Sequence, residues 1–281
     1  MVSVVIPVRD AEGTLTECIT ALKRQDPGDG SVELVFVDNG STDGSLGMLR
    51  ATGGIRVLEE PRPGAYAARN TGVHQAQGRI IAFTDPDCVA DEGWIHSVIE
   101  AFKDPICLLL LGQRRPYPDV GCNRLLGDYE ITKDRWVIAS RQPLKYYGFT
   151  NTMAVRREAW EACGPFVDRP RGSDTVFVRR LVDSVGCDAV RYVPGMRVSH
   201  REIDGPATYF RKAFTYGRSL QSYGRIVAVK PLLFRDRIAV YVMAVRDYRY
   251  NVGQTLALAT LLVGGMVAWW AGRLAGRLRR R

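Results

Sequence analysis

Two carboxylates one residue apart follow a short apolar run in Ile80-Ile81-Ala82-Phe83-Thr84-Asp85-Pro86-Asp87. With Pro86 fixing the backbone between them, Asp85 and Asp87 can hold Mg²⁺ or Mn²⁺, hard cations that also take diphosphate oxygens. The same residues also make a plain Asp-Pro turn. An earlier apolar run ends in an acid as well, Val35-Phe36-Val37-Asp38, followed by Asn39-Gly40-Ser41-Thr42-Asp43-Gly44. At a strand end Asp38 can accept hydrogen bonds from a base N–H or a ribose hydroxyl, while Asn39-Gly40 also reads as a simple turn. Between these runs lies Pro63-Gly64-Ala65-Tyr66-Ala67-Ala68-Arg69-Asn70-Thr71-Gly72. Gly64 permits close backbone approach. Arg69 can pair with phosphate or sit in a surface ion pair. Further on, Asp174 in Gly172-Ser173-Asp174 is a carboxylate able to take the proton of an attacking hydroxyl, or to cap the helix that follows it. His200 offers an imidazole that is competent as a third metal ligand, although a lone histidine is more often structural.

The elements that must hold these residues alternate. Val2–Val8 is an apolar run, followed by Leu15, Ile19 and Leu22 at helical spacing with Thr14 as the expected N-cap. Further strand patterns fall at 34–37, 55–58, 80–84, 106–111 and 189–193, with helix patterns at 65–77, 94–102 and 174–185. Strands spaced by helices predict an α/β fold with a mostly parallel, doubly wound sheet. In such sheets ligands bind outside the carboxyl ends of strands, where Asp38 and Asp85 stand. The stretch 113–170 reads as loop-rich and aromatic; Tyr146, Tyr147 and Trp160 could stack on a sugar, but a core role is the stronger reading. Residues 206–224 read as a basic helix.

The chain has 281 residues and a formal charge of +9. The charge is not spread evenly: residues 197–281 hold 16 basic and 4 acidic side chains, and residues 1–196 hold 23 and 26. A mildly acidic body therefore carries a basic C-terminal third, clustered beside a hydrophobic segment and not on a nucleic-acid motif. The six cysteines form no CxxC pair, which disfavours a zinc ribbon or a disulfide-stapled module and suits a reducing cytoplasm. No signal-peptide pattern precedes the first strand. Residues 252–272 carry no formal charge and are long enough for a bilayer core, with Trp269 and Trp270 near one end. The alternatives are a buried core helix, or a re-entrant or surface-bound helix, which would avoid placing basic groups on both sides of a single span. Residues 226–250 mix apolar runs with Lys230, Arg235, Arg237, Arg246 and Arg249, as a helix on an anionic membrane surface would, or as a packed helix with a solvated basic face.

Four segments in order carry a resemblance: Val4-Val5-Ile6-Pro7-Val8-Arg9-Asp10-Ala11-Glu12, Val37-Asp38-Asn39-Gly40-Ser41-Thr42-Asp43, Ala68-Arg69-Asn70-Thr71-Gly72 and Phe83-Thr84-Asp85-Pro86-Asp87. Over about residues 1–220 the chain resembles a family 2 glycosyltransferase of the GT-A fold, bacterial in type and membrane-associated. The resemblance implies that Asp38 contacts the nucleotide base and that Asp85 and Asp87 bind the metal and the sugar-nucleotide diphosphate. It places Pro7, Val8, Asp10, Glu12, Gly64 and Arg69 around the nucleotide. Arg9-Asp10 stands where the family usually has Tyr-Asn. Gly172-Ser173-Asp174 matches the family's Gly-Glu-Asp, with Ser173 in place of the Glu and Asp174 in the position of the catalytic base. His200 is the candidate for the late histidine that joins the metal in many GT-A enzymes.

The implied function is metal-dependent, inverting transfer of a sugar from a nucleotide-diphosphate donor to a lipid-linked or glycan acceptor, with Mg²⁺ or Mn²⁺ as cofactor. The expected place is the cytoplasmic side of the plasma membrane. The Gln-x-x-Arg-Trp motif of processive members is absent, which points to transfer of one or a few sugars. The expected organisation is a catalytic domain over 1–220 (nucleotide-sugar half about 1–112, acceptor half about 113–220), an interface segment 226–250, a membrane helix 252–272 and a basic tail 273–281. A sugar nucleotidyltransferase is a rival, but it would release pyrophosphate and usually carries a Gly-rich basic loop near the N-terminus, which is missing. An inert membrane scaffold of the same fold is the other rival. No P-loop, dinucleotide fingerprint or nucleophile elbow is present.

Overall fold

The computed structural model describes residues 1–25, 28–201, 205–223 and 226–278. Residues 279–281 of the basic tail and Gly224 of the predicted basic helix lie outside the described residues. The chain divides into two compact units, residues 1–114 with 147–199, and residues 115–146 with 200–281. The acceptor half expected at 113–220 is thus shared between the units.

The first unit is built on an eight-stranded sheet. Its strands are β1 (Val2–Val8), β2 (Val32–Asp38), β3 (Arg56–Glu59), β4 (Ile80–Thr84), β5 (Cys88–Ala90), β6 (Leu109–Pro116), β7 (Thr152–Arg156) and β8 (Val190–His200). Their order is β3-β2-β1-β4-β7-β6-β8-β5. All seven residues of β1 are buried, which explains an apolar run without alternation: the strand is covered on both faces. β1 pairs in parallel with β2 on one side and β4 on the other, and β2 pairs in parallel with β3. β7 breaks the pattern, running antiparallel to both β4 and β6. The sheet is mixed, with a parallel half that carries Asp38 and Asp85.

Helices α1 (Glu12–Lys23), α2 (Ser45–Ala51), α3 (Ala65–Gln75), α4 (Trp94–Ala101), α6 (Arg157–Cys163) and α7 (Ser173–Val185) belong to this unit. Leu15, Cys18, Ile19 and Leu22 of α1 pack with Val4, Ile6, Phe36 and Trp94 in its core. The predicted cap at Thr14 is corrected: α1 starts three residues earlier with Ala11 at the N-cap, because Glu12 and Ala11 are held by Asp43 and Ser45 of the neighbouring loop. Trp160 belongs to an aromatic core with Phe83, Phe166 and Phe177, at ring separations of 5.6, 4.8 and 5.2 Å.

The second unit contains α5 (Gly121–Ala139), α8 (Pro206–Tyr223), α9 (Phe234–Asp247) and α10 (Val252–Leu278). The nineteen-residue α5 corrects the loop-rich reading of this stretch. Its inward face includes Asn123, Asp128, Thr132 and Asp134, polar residues that interrupt the apolar period. Leu125 and Tyr129 of α5 pack with Val240 of α9 and Leu258 of α10. Two polar contacts are made there: Tyr250 donates to Asp128 at 2.6 Å, and Lys145 meets Asp236 at 2.7 Å. Tyr146 is fully buried and donates its hydroxyl to the Ile138 carbonyl, which bears out the core reading for that ring.

Candidate active site

Asp38 is the last residue of β2 and is 3% exposed. Its Oδ2 accepts from the backbone N–H groups of Gly40 and Ser41, at 3.1 and 3.2 Å. Its Oδ1 is buried and finds no hydrogen-bond partner among the described residues. A buried carboxylate oxygen left without a donor is costly, and an arriving N–H or hydroxyl would satisfy it. Asn39 does more than turn the chain. Its amide donates to the carbonyls of Glu60 and Arg62 at 2.8 and 2.7 Å, and its Oδ1 accepts from Gly64 N–H at 2.7 Å. The loop before α3 is thereby tied to the end of β2. Gly64 stands at φ 131°, a conformation that L side chains rarely adopt, and opens α3 as its N-cap.

Pro7 and Val8 are buried at the end of β1, and Val8 accepts Asn39 N–H at 2.7 Å. Asp10 and Glu12 turn their carboxylates into the next loop. Asp10 accepts from Thr42 N–H at 2.7 Å, which holds its carboxyl below the usual range, and Glu12 accepts from Gly44 N–H at 3.0 Å. These two acids brace the segment that carries Asp38.

β2 and β4 flank β1, so strand spacing alone puts their ends about 10 Å apart. That gap suits a nucleoside diphosphate laid across the end of β1. At the β4 end, Thr84 donates to the Asn151 carbonyl at 3.0 Å, and the Asp85 carbonyl accepts Cys88 N–H at 3.0 Å. Asp85 and Asp87 are both partly exposed. One face of α3 organises what lies opposite them. Arg69, only 4% exposed, pairs with Asp85, and its Nε has no partner among the described residues. One turn earlier, Tyr66 donates its hydroxyl to Asp174. The guanidinium of Arg69 lies 5.5 Å from the Tyr66 ring centre. Two side chains at i and i+3 thus bring the predicted base and the predicted metal acid to one helical turn.

Asp174 lies in the first turn of α7, where its Oδ1 also accepts Thr175 N–H at 2.7 Å. Burial pushes its carboxyl up to about 6, against the lowering effects of the Thr175 N–H, the Tyr66 hydroxyl and the Arg69 charge. The Gly148 backbone presses on this turn: a Cβ there would fall 2.7 Å from the Asp174 carbonyl oxygen. Ser173, in the Glu position of the family pattern, is fully buried with an unpartnered hydroxyl among the described residues. His200 is the last residue of β8, the strand next to β5 in the sheet. Sequence reasoning singled out Asp38, Arg69, Asp85 and Asp174 but missed Tyr66 and the clamping role of Asn39. The available signal for Tyr66 was its spacing of three from Arg69, directly after a glycine.

The donor set suits a hard divalent cation: two partly exposed carboxylates at a strand end, one of them already compensated by a guanidinium.

Comparisons with known proteins agree with this architecture. The glycosyl transferase family 2 description matches residues 3–163, more than half of the chain. Glycosyltransferase AglE of Haloferax volcanii is 30% identical over 191 residues, covering 65% of this chain and 62% of AglE. The uncharacterized glycosyltransferase EpsJ of Bacillus subtilis is 26% identical over 181 residues, covering 60% of this chain and 51% of EpsJ. The chain thus spans less than two thirds of the length of either relative. Among solved structures, a mannosyltransferase from Pyrobaculum calidifontis in complex with GDP-Man and Mn²⁺ shares the fold with a TM-score of 0.67 at 18% identity, covering 100% of this chain and 88% of that one. Glucosyl-3-phosphoglycerate synthase from Mycobacterium tuberculosis, with Mn²⁺ and UDP-glucose, gives 0.57 at 22% identity, covering 82% and 80%.

Proposed function

The chain belongs to glycosyltransferase family 2, and from that premise we propose that it moves a sugar, with inversion, from a nucleotide-diphosphate donor to an acceptor hydroxyl. The observation that carries the reading is the single turn of α3 that holds Asp174 through Tyr66 and Asp85 through Arg69.

In this reading the base or ribose donates to the free Oδ1 of Asp38. Pro7 and Val8 line the floor, while Asp10 and Glu12 act by bracing the 41–45 loop. Gly64 lets the donor approach the backbone. Asp85 and Asp87 would hold Mg²⁺ or Mn²⁺, with His200 as a third ligand. When bound, the cation would stabilise negative charge on the departing diphosphate. Arg69 adds a second positive charge beside it, and its unpartnered Nε suits a diphosphate oxygen. Asp174 takes the proton of the acceptor hydroxyl. As the hydroxyl oxygen bonds to the sugar C1, the C1–O bond to diphosphate breaks and its electron pair leaves with the nucleotide. Tyr66 aims the carboxylate and helps to keep it ionised.

The acceptor is a lipid-linked or glycan hydroxyl presented at an anionic membrane surface, on the cytoplasmic side of the plasma membrane. The 16 basic against 4 acidic side chains of residues 197–281 and the apolar α10 support that address. The test is a screen of UDP-, GDP- and dTDP-sugars with Mg²⁺ or Mn²⁺, read as thermal shift and as release of nucleoside diphosphate. One donor should raise the melting temperature and release diphosphate, with the anomeric configuration inverted in the product. Release of pyrophosphate, or no response to any donor, would sink the proposal.

A further inference from the structure

Helix α10 has two faces along its length. Leu258, Leu261, Gly265 and Gly272 are buried at the three-to-four spacing of one seam. On the other face Val252, Leu256, Val263, Val267, Trp270 and Leu274 are between 55% and 77% exposed. A water-facing helix carries charge on its outer side; this one has no charged residue from 252 to 272. By length and hydropathy it could cross a bilayer over Val252–Gly276.

What lies beside the helix decides between crossing and lying flat. Its C-terminal half is covered by α8. A Cβ on Gly217 would fall 2.0 Å from the Trp269 carbonyl oxygen, and one on Gly272 would fall 1.9 Å from that of Phe214. Phe210 and Tyr209 lie against Gly264 and Gly265, and Arg218 lies against Gly276. The contacts advance together, so the two helices run side by side in the same direction. α8 begins at Pro206, one turn before the residues that face Gly264 and Gly265.

A span centred near residue 262 would therefore put the start of α8 near the bilayer midplane. The first backbone N–H groups of a helix lack intrahelical partners, and lipid-exposed backbone of that kind is not tolerated at such depth. It would also carry Arg211 and Lys212 alongside residues 264–272, where cations are among the costliest side chains. Laid flat, the pair has neither problem. α9 repeats the pattern on a smaller scale, with Phe234, Ile238 and Val242 exposed four residues apart and Arg235, Arg246 and Arg249 exposed around them.

We infer that α10 lies in the plane of an anionic lipid surface with its exposed apolar face inserted, and that it does not cross the bilayer. The inference rests on the membrane address proposed above, and the excess of basic side chains in residues 197–281 favours lipid over a second copy of the chain as the occupant.

The test uses the full chain with Cys122→Ser and Cys187→Ser, the cysteines with accessible surface. Leu256→Cys, Val263→Cys, Val267→Cys and Leu274→Cys are spin-labelled one at a time and bound to phosphatidylglycerol–phosphatidylcholine vesicles. All four labels should sit at one shallow depth, about 5–10 Å below the headgroup boundary. A profile deepest at Val263, with Leu274 emerging at the far leaflet, would overturn the in-plane placement and leave the membrane address standing. Absence of vesicle binding, with or without self-association through this face, would overturn both. Donor turnover on the same variants reports separately on the transferase reading.

Discussion

Arg69 closes on Asp85 from a buried position on α3, so a guanidinium compensates one of the two carboxylates predicted to bind metal. A buried arginine with one nitrogen paired and another unpartnered is suited to a diphosphate that develops charge as its bond to the sugar breaks. Arg69→Gln keeps polarity but removes the charge. Transfer should fall by about 100-fold or more, the usual cost of losing one such donor, with the folded state retained by circular dichroism. An activity loss of only a few-fold would remove Arg69 from the diphosphate site.

With Asp174 as the proposed base, its elevated carboxyl is expected to set the acid side of the pH profile. Only the ionised form can accept a proton, so the rate should rise with pH through about 6 and level off above it. A flat profile between pH 5 and 8 would contradict the assignment.

The same burial has a stability consequence. The folded Asp174 binds its proton more tightly than the unfolded chain does, with an affinity raised from 3.8 to about 6. Ionisation therefore costs the fold stability above about pH 6, and the cost fades as pH falls towards 3.8. A rise of that size corresponds to a penalty of about 3 kcal/mol at neutral pH. Asp174→Asn should thus melt higher than the parent at pH 7.5 and nearly level with it at pH 4, while losing transfer.

In the proposed reading Tyr66 is a positioning residue, acting through Asp174. Tyr66→Phe keeps the ring against Phe166 at 5.3 Å and removes the hydroxyl donor. A hydrogen bond to a charged group contributes about 1.5–3 kcal/mol. The acid limb should therefore move to higher pH, and the rate near pH 6.5 should drop about tenfold with donor affinity unchanged. A uniform drop at every pH would point to a structural role alone.

Asn39 makes three hydrogen bonds to the loop that ends in Gly64. Asn39→Ala strands those groups and should cost about 2–4 kcal/mol in denaturant unfolding. Donor affinity should also weaken, because the loop and Asp38 share this clamp. Unchanged stability would show that water replaces the amide without loss.

The parallel half of the sheet was legible because β1, β2 and β4 are almost wholly buried and so read as unbroken apolar runs. The acids that end β2 and β4 inherited that clarity. α5 was not legible, since Asp128 and Thr132 turn inward; Thr132 bonds back to the Asp128 carbonyl, and Asp128 accepts from Tyr250, a contact that no local pattern announces. Tyr66 was not singled out; its contact with Asp174 depends on α7, which begins more than 100 residues away. The uncharged run 252–272 was visible, but whether it crosses a membrane depends on α8, which only the fold sets beside it.

The central claim is most directly tested by titrating the donor found in the screen into Asp174→Asn, with Mn²⁺ and with EDTA, and then adding acceptor. The account predicts metal-dependent donor binding close to that of the parent protein, and no transfer. Turnover at the parent rate, or donor binding that ignores the metal, would contradict it.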